Sequence, residues 1–131
     1  MPLPVTALFA AILTVLLLVL LIRVTRNRYR AKVSLYDGGD EILGRAIRAH
    51  GNFIETAPFA LGLMAIIEIN GADKMLLWGL GVVLVIARCM HAYGIYGGRE
   101  TLKIRVYAMY GTFAVMLTAA SEALIQAVSA F

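Results

Sequence analysis

An all-α integral membrane protein, built as a bundle of four spanning helices, is the fold class this sequence predicts. Three observations carry that expectation. Of 131 residues, 61% are hydrophobic and 15% charged, with a mean hydropathy of +0.83, a composition remote from that of soluble globular domains. A bilayer core asks for about 20 apolar residues per helix, and the chain offers four such stretches with little sequence left over. The basic residues gather after the first and third stretches. A separate water-soluble catalytic domain is excluded.

The spans are expected at about residues 3–22, 45–69, 75–96 and 104–129, within one domain covering residues 1–131. The first carries no charge. No Lys or Arg precedes Arg23, and Val19-Leu20-Leu21-Ile22 offers no small-residue cleavage site, so it reads as a retained helix and not as a removed signal peptide. In the second, the apolar part from Ala57 to Ile69 is too short alone. It reaches full length by starting near Glu41 to Arg48, which carries Arg48, Asn52 and Glu55 into the membrane or its interface. The third likewise spans only by continuing from Met75–Ala87 through Arg88, Cys89 and His91 to Tyr96. The fourth is long enough unaided, with Glu122 and Gln126 late in it. A polar loop joins the first two spans, and tight turns are expected at Asn70-Gly71-Ala72-Asp73 and Gly97-Gly98. Gly62, Gly79 and Gly81 would permit close helix packing.

Charge placement sets the orientation. Arg23, Arg26, Arg28, Arg30, Lys32, Arg45 and Arg48 follow the first span, and Arg88, Arg99, Lys103 and Arg105 follow the third, which leaves Lys74 alone in the second loop. Basic loops mark the cytoplasmic side, so both termini are expected on the opposite side. The net charge of +4 is then mostly topology. The run from Arg23 to Lys32 abuts an apolar span and lacks a folded recognition module, so it reads as lipid-headgroup contact and not as a nucleic-acid site. A single cysteine, Cys89, beside only His50 and His91, supports neither a disulfide nor a metal cage.

The site chemistry must come from Arg, Glu, Asn and Tyr. Arg48, Asn52 and Glu55 are spaced i, i+4, i+7 and share one helix face. Buried ions are costly unless paired, so this stripe faces other helices or a wet cavity and not lipid. It reads either as a helix-to-helix salt bridge or as a pocket for a zwitterion, since a guanidinium fork holds carboxylate, a carboxylate holds ammonium, and an amide satisfies peptide groups. Pro58 follows it and can kink the helix. Glu68 reads as an interfacial residue at the outer surface. In the third span, Arg88 and His91 lie three apart while Cys89, Tyr93 and Tyr96 line a neighbouring face. Tyr93 and Tyr96 read as an interfacial belt or as site residues, and His91 as a hydrogen-bonded helix residue or a base. Arg105, entering the fourth helix with Tyr110 five residues on, is placed to stabilise an anionic partner.

The run Arg48-Ala49-His50-Gly51-Asn52-Phe53-Ile54-Glu55-Thr56-Ala57-Pro58 closely resembles the second-helix signature of the MAPEG family, the membrane-associated proteins in eicosanoid and glutathione metabolism. The Ala87-Arg88 pair, the tyrosines after it, and Arg105 with Tyr110 look like the family's later landmarks. The resemblance covers nearly the whole chain. It implies a homotrimer of four-helix subunits with glutathione, a co-substrate, bound between neighbours near the cytoplasmic face. Carried over by motif, Arg48, Asn52 and Glu55 would hold glutathione, Glu55 meeting its amine and Arg48 its carboxylate. Arg28 or Arg30 would add a second carboxylate contact, and His91, Tyr93 and Tyr96 would lie around the tripeptide. Arg105 looks like the arginine that holds the sulfur as thiolate. Thr56 departs from the family's leukotriene-forming synthase, which has tyrosine there, so one ring beside the tripeptide is missing.

The function expected is therefore a membrane-bound glutathione transferase, with glutathione-dependent peroxidase activity as a related chemistry, acting on hydrophobic electrophiles dissolved in the bilayer. Two other readings stand beside it. In one, Glu55 carries a proton in a small coupled transporter. In the other, the fold persists as a non-catalytic scaffold with a degenerate pocket, a reading that Thr56 keeps open.

Overall fold

The computed structural model describes residues 2–96 and 101–131, in which all regular structure is helical. Four helices follow one another: α1 over Pro4–Ala31, α2 over Glu41–Ile69, α3 over Lys74–Tyr96 and α4 over Leu102–Ser129. All four are long and apolar enough to cross a membrane. The chain is a four-helix membrane bundle. Gly97-Gly98 and Arg99 lie outside the described residues.

The first helix corrects the expected loop. It does not stop at Ile22 but runs on to Ala31, so Arg23, Arg26, Arg28 and Arg30 are helical. Arginine is a good helix former, and cations in a last turn meet the negative end of the helix dipole. Lys32, in the left-handed conformation at φ 55°, ends the helix. Arg28 then donates to the carbonyls of Ser34 at 3.2 Å and Tyr36 at 2.9 Å. Arg30 bonds Asp40 at 2.6 Å, and the same Asp40 oxygen caps α2 by accepting from Leu43 N–H at 2.8 Å. One carboxylate thus joins the end of α1 to the start of α2.

The far end of the bundle is held by three further caps. Gly71, at φ 85°, supplies the left-handed residue of the expected tight turn. Its N–H bonds the Glu68 carbonyl at 3.1 Å and that of Ala72 bonds Ile67 at 2.9 Å, the paired closure that ends many helices. Asp73 begins α3 by accepting from Met75 N–H at 2.5 Å. Glu68, expected to be merely interfacial, accepts from the N–H groups of Val5 at 2.9 Å and Thr6 at 2.8 Å. Val5 and Thr6 lie in the first turn of α1, where N–H groups have no intrahelical partners, and a carboxylate there also meets the positive end of the dipole.

Between the ends, Phe9, Leu13, Met64, Leu84, Val115 and Ala119 form the buried centre, while Val15, Phe59, Leu117 and Leu124 face outward. Gly81 lets α1 approach α3: a Cβ there would fall 2.1 Å from the Phe9 ring, which stands edge-on to Trp78 at 5.4 Å. Gly94 does the same for α3 and α4, where a Cβ would meet Arg105 Cγ at 2.5 Å. Gly62 and Gly79 face open space, because both lie on the outer surface of the bundle.

Candidate functional site

The most buried charged group is Arg88, 1% exposed. One guanidinium nitrogen donates to Asn52 Oδ1 at 2.7 Å and Thr56 Oγ1 at 3.0 Å on α2. The other donates to Thr112 Oγ1 at 2.6 Å and lies 3.5 Å from Met109 Sδ on α4. Each hydroxyl passes its own proton back to a helix carbonyl, Thr56 to Asn52 at 2.8 Å and Thr112 to Ala108 at 3.1 Å. All these acceptors are neutral, and no ion pair to Arg88 occurs among the described residues. Arg88 therefore ties three helices together without losing its positive charge.

This arrangement changes the reading of the second-helix stripe. A guanidinium only donates, so Asn52 must turn its oxygen to Arg88 and keep its Nδ2 donors for another partner. Thr56, missing the expected ring, has a role of its own as an acceptor for Arg88. Arg48 and Glu55 remain on the outside, 67% and 59% exposed and 4.0 Å apart. The stripe thus divides, with its amide turned inward and its ions outward.

At the same end of the bundle a cavity of about 610 Å³ opens between the starts of α2 and α4 and the end of α3, and Arg45, Arg48 and Arg105 line it with Asp37, Glu41, Gly94 and Thr101. Small-molecule sites commonly run from about 300 to 1,000 Å³. Arg45 also pairs with Glu41 one turn earlier. Arg105 is held against Gly94, and its buried Nε has no hydrogen-bond partner among the described residues. The structure brings Arg48 and Arg105, far apart in sequence, to one cavity.

The other sequence candidates are placed differently. His91 is 6% exposed on α3, one turn beyond Arg88, in the field of Arg88, Arg105 and Arg48. Tyr93 is 68% exposed. Tyr96 is half-buried, its ring covered by the Arg23 guanidinium at 4.3 Å and its hydroxyl without a partner among the described residues. Arg28 and Arg30 are taken up in the α1–α2 connection. None of these, nor Asn52 or Glu55, lines the cavity. Among the described residues no three metal-ligating side chains cluster. Arg88 was underrated in the sequence, although an arginine inside an apolar span is itself a signal of a specific partner.

Fold and site together define a multi-pass α-helical membrane protein with an arginine-rich cavity at one end of its bundle. The sequence profile of the MAPEG family matches residues 6–125, and the chain belongs to that family. It is 40% identical over 92 residues, 70% of each chain, to the inner membrane protein YecN of Escherichia coli K12. It is similar to the same extent to YecN of Escherichia coli O6:H1 strain CFT073.

Proposed function

We infer that the protein is a membrane-bound glutathione transferase that conjugates glutathione thiolate to hydrophobic electrophiles, with hydroperoxide reduction as a related activity. The observation that carries this reading is the cavity, in which Arg45, Arg48 and Arg105 converge. Glutathione has two carboxylates, an ammonium and a thiol, so a cavity dominated by guanidinium groups suits it best as the thiolate. Arg105, with its unsatisfied buried Nε, holds the sulfur. Arg48 holds a carboxylate, Glu55 the amine, and the Nδ2 of Asn52 a peptide carbonyl. Arg30 supplies a further carboxylate contact from the α1 end, while Arg28 is spent on backbone carbonyls. The family motif would set His91, Tyr93 and Tyr96 around the tripeptide from α3, although none of them lines the cavity.

The exposure of Arg48 and Glu55 supports a homotrimer with glutathione between subunits. An ion pair on an outer face of a spanning helix would otherwise meet lipid, at a cost that a neighbouring subunit and a charged ligand remove. The electrophile enters from the bilayer. The basic end, with the cavity, faces the cytoplasm and both termini face away; labelling of a cysteine introduced at Phe131 from the cytoplasmic side would contradict that orientation.

A transporter built on Glu55 gains no support, because Glu55 is exposed on an outer face beside Arg48 and not set between alternating openings. The scaffold reading loses its main argument, since Thr56 is accommodated by Arg88. Calorimetric titration of the detergent-solubilised protein with glutathione tests the proposal. Saturable binding is expected in the wild type and at least tenfold weaker binding in Arg48→Ala, the cost of about 1.4 kcal/mol or more that losing a charge-assisted bond carries. No binding to the wild type would refute it, and crosslinking that yields only monomers in membranes would refute the shared site.

A further inference from the structure

The end of α1 carries more than a topology signal. Leu8, Ile12, Val15, Val19 and Ile22 are all exposed, and their three- and four-residue spacing makes one continuous apolar track along the outside of the helix. Arg26, four residues after Ile22, and Arg30, four further on, prolong the same track, with Arg23 beside it. From Leu8 to Ile22 the helix rises about 21 Å, and Arg26 stands about 6 Å beyond. One face is therefore apolar at the depth of acyl chains and cationic at the depth of headgroups.

The cationic part is shaped. Arg23, Arg26, Asn27 and Arg30 line a cleft of about 370 Å³. The Arg23 guanidinium is fixed over the Tyr96 ring. Asn27 donates to the Arg23 carbonyl at 2.9 Å and accepts from Arg30 Nε at 3.2 Å. Asp40 is bonded to Arg30 and to the start of α2. Arg23 and Arg26 have no ion pair among the described residues, and Arg26 has no hydrogen bond there either.

We propose that this face of α1 binds one anionic phospholipid, its phosphodiester between Arg23 and Arg26 and an acyl chain along the track from Ile12 to Ile22. A zwitterionic lipid is disfavoured, because its ammonium would enter a cleft with no uncommitted carboxylate among the described residues. Both halves of the occupant are matched, the apolar chain by the track and the anion by the arginines. The two arginines that hold the phosphodiester, Arg23 and Arg26, are not among the residues assigned to glutathione, although Arg30 at the edge of the cleft is.

Native mass spectrometry of the full-length protein with phosphatidylglycerol, or with phosphatidylcholine of identical chains, tests this. Preferential retention of phosphatidylglycerol is expected in the wild type. Arg26→Gln, at a residue without partners among the described residues, is expected to weaken it about fivefold, equivalent to the ~1 kcal/mol that one basic residue contributes near an anionic lipid surface. Arg26→Lys should retain most of it, and Lys103→Gln on α4 all of it. Equal retention of the two lipids, or no difference between wild type and Arg26→Gln, overturns the proposal. So does competition by inorganic phosphate as strong as by phosphatidylglycerol, which would make this a free-anion site, or a complex in which a second copy covers the face and no lipid is retained.

Discussion

At the scale of single residues, Arg88 organises the protein. Its charge is buried among neutral acceptors on two helices, and each of those acceptors is already bonded to its own helix or oriented by the guanidinium. Removing one of them leaves a buried donor unsatisfied, at about 1–3 kcal/mol. Thr112→Val keeps the shape of the side chain and should cost that much in thermal unfolding followed by circular dichroism in detergent. Unchanged stability would mean that Arg88 does not depend on α4. The sequence made the stripe of Arg48, Asn52 and Glu55 legible through helical spacing alone. It did not reveal that Asn52 turns to Arg88 while Arg48 and Glu55 turn outward, because side-chain direction within one face is decided by the helices packed against it. Thr56 shows the same limit: as a departure from a motif it reads as a loss, and only the position of Arg88 gives its hydroxyl a partner.

At the scale of elements, the helix ends and crossings were unequally legible. Gly71 announced its turn by composition, since a left-handed residue after an apolar run is most easily glycine. The continuation of α1 past Ile22 was not announced, because charge after a span marks the membrane boundary and does not by itself end a helix. Glu68 gave no sign that it caps α1, a pairing across more than sixty positions of chain. Two expectations belong here. Gly81→Ala places a Cβ inside the Phe9 ring, so α1 must shift or Phe9 must leave its position, an overpacking cost of about 1–3 kcal/mol in unfolding experiments. Recovery in the double variant Gly81→Ala with Phe9→Leu would tie the cost to that contact; a silent single variant would contradict it. The Asp40 carboxyl is held below its ordinary 3.8, chiefly by the Leu43 N–H that it accepts and then by Arg30. A carboxyl lowered in the fold contributes stability above its unfolded value, and the contribution is lost as pH falls through the folded one. Cleavage between residues 32 and 40 by an acid protease should therefore accelerate below about pH 4, and Asp40→Asn should lack that dependence. The same pH profile in both proteins would assign the opening to another group.

At the scale of the whole molecule, the four-helix membrane fold was legible, because composition and span length are set by the bilayer and not by tertiary detail. Arg48 and Arg105 also emerged from the sequence, and they are the candidates that meet in the cavity. The rest of the cavity could not be read, since Gly94 and Thr101 matter through where they let Arg105 sit. In the proposed trimer, a neighbouring subunit would cover the face that carries the outward ion pair of Arg48 and Glu55. On this account the cavity does one thing beyond binding: it raises the fraction of glutathione present as thiolate, the form that reacts. A hundredfold gain in that fraction corresponds to about 2.7 kcal/mol of preferential stabilisation, within reach of one partly buried guanidinium. The direct measurement is the ultraviolet difference absorbance of the thiolate during a glutathione titration of the purified protein, run side by side on the wild type and Arg105→Ala. A saturable thiolate signal is expected in the wild type and its loss in Arg105→Ala, while much of the binding remains. Saturable binding without thiolate in the wild type, or an undiminished signal in Arg105→Ala, would contradict it.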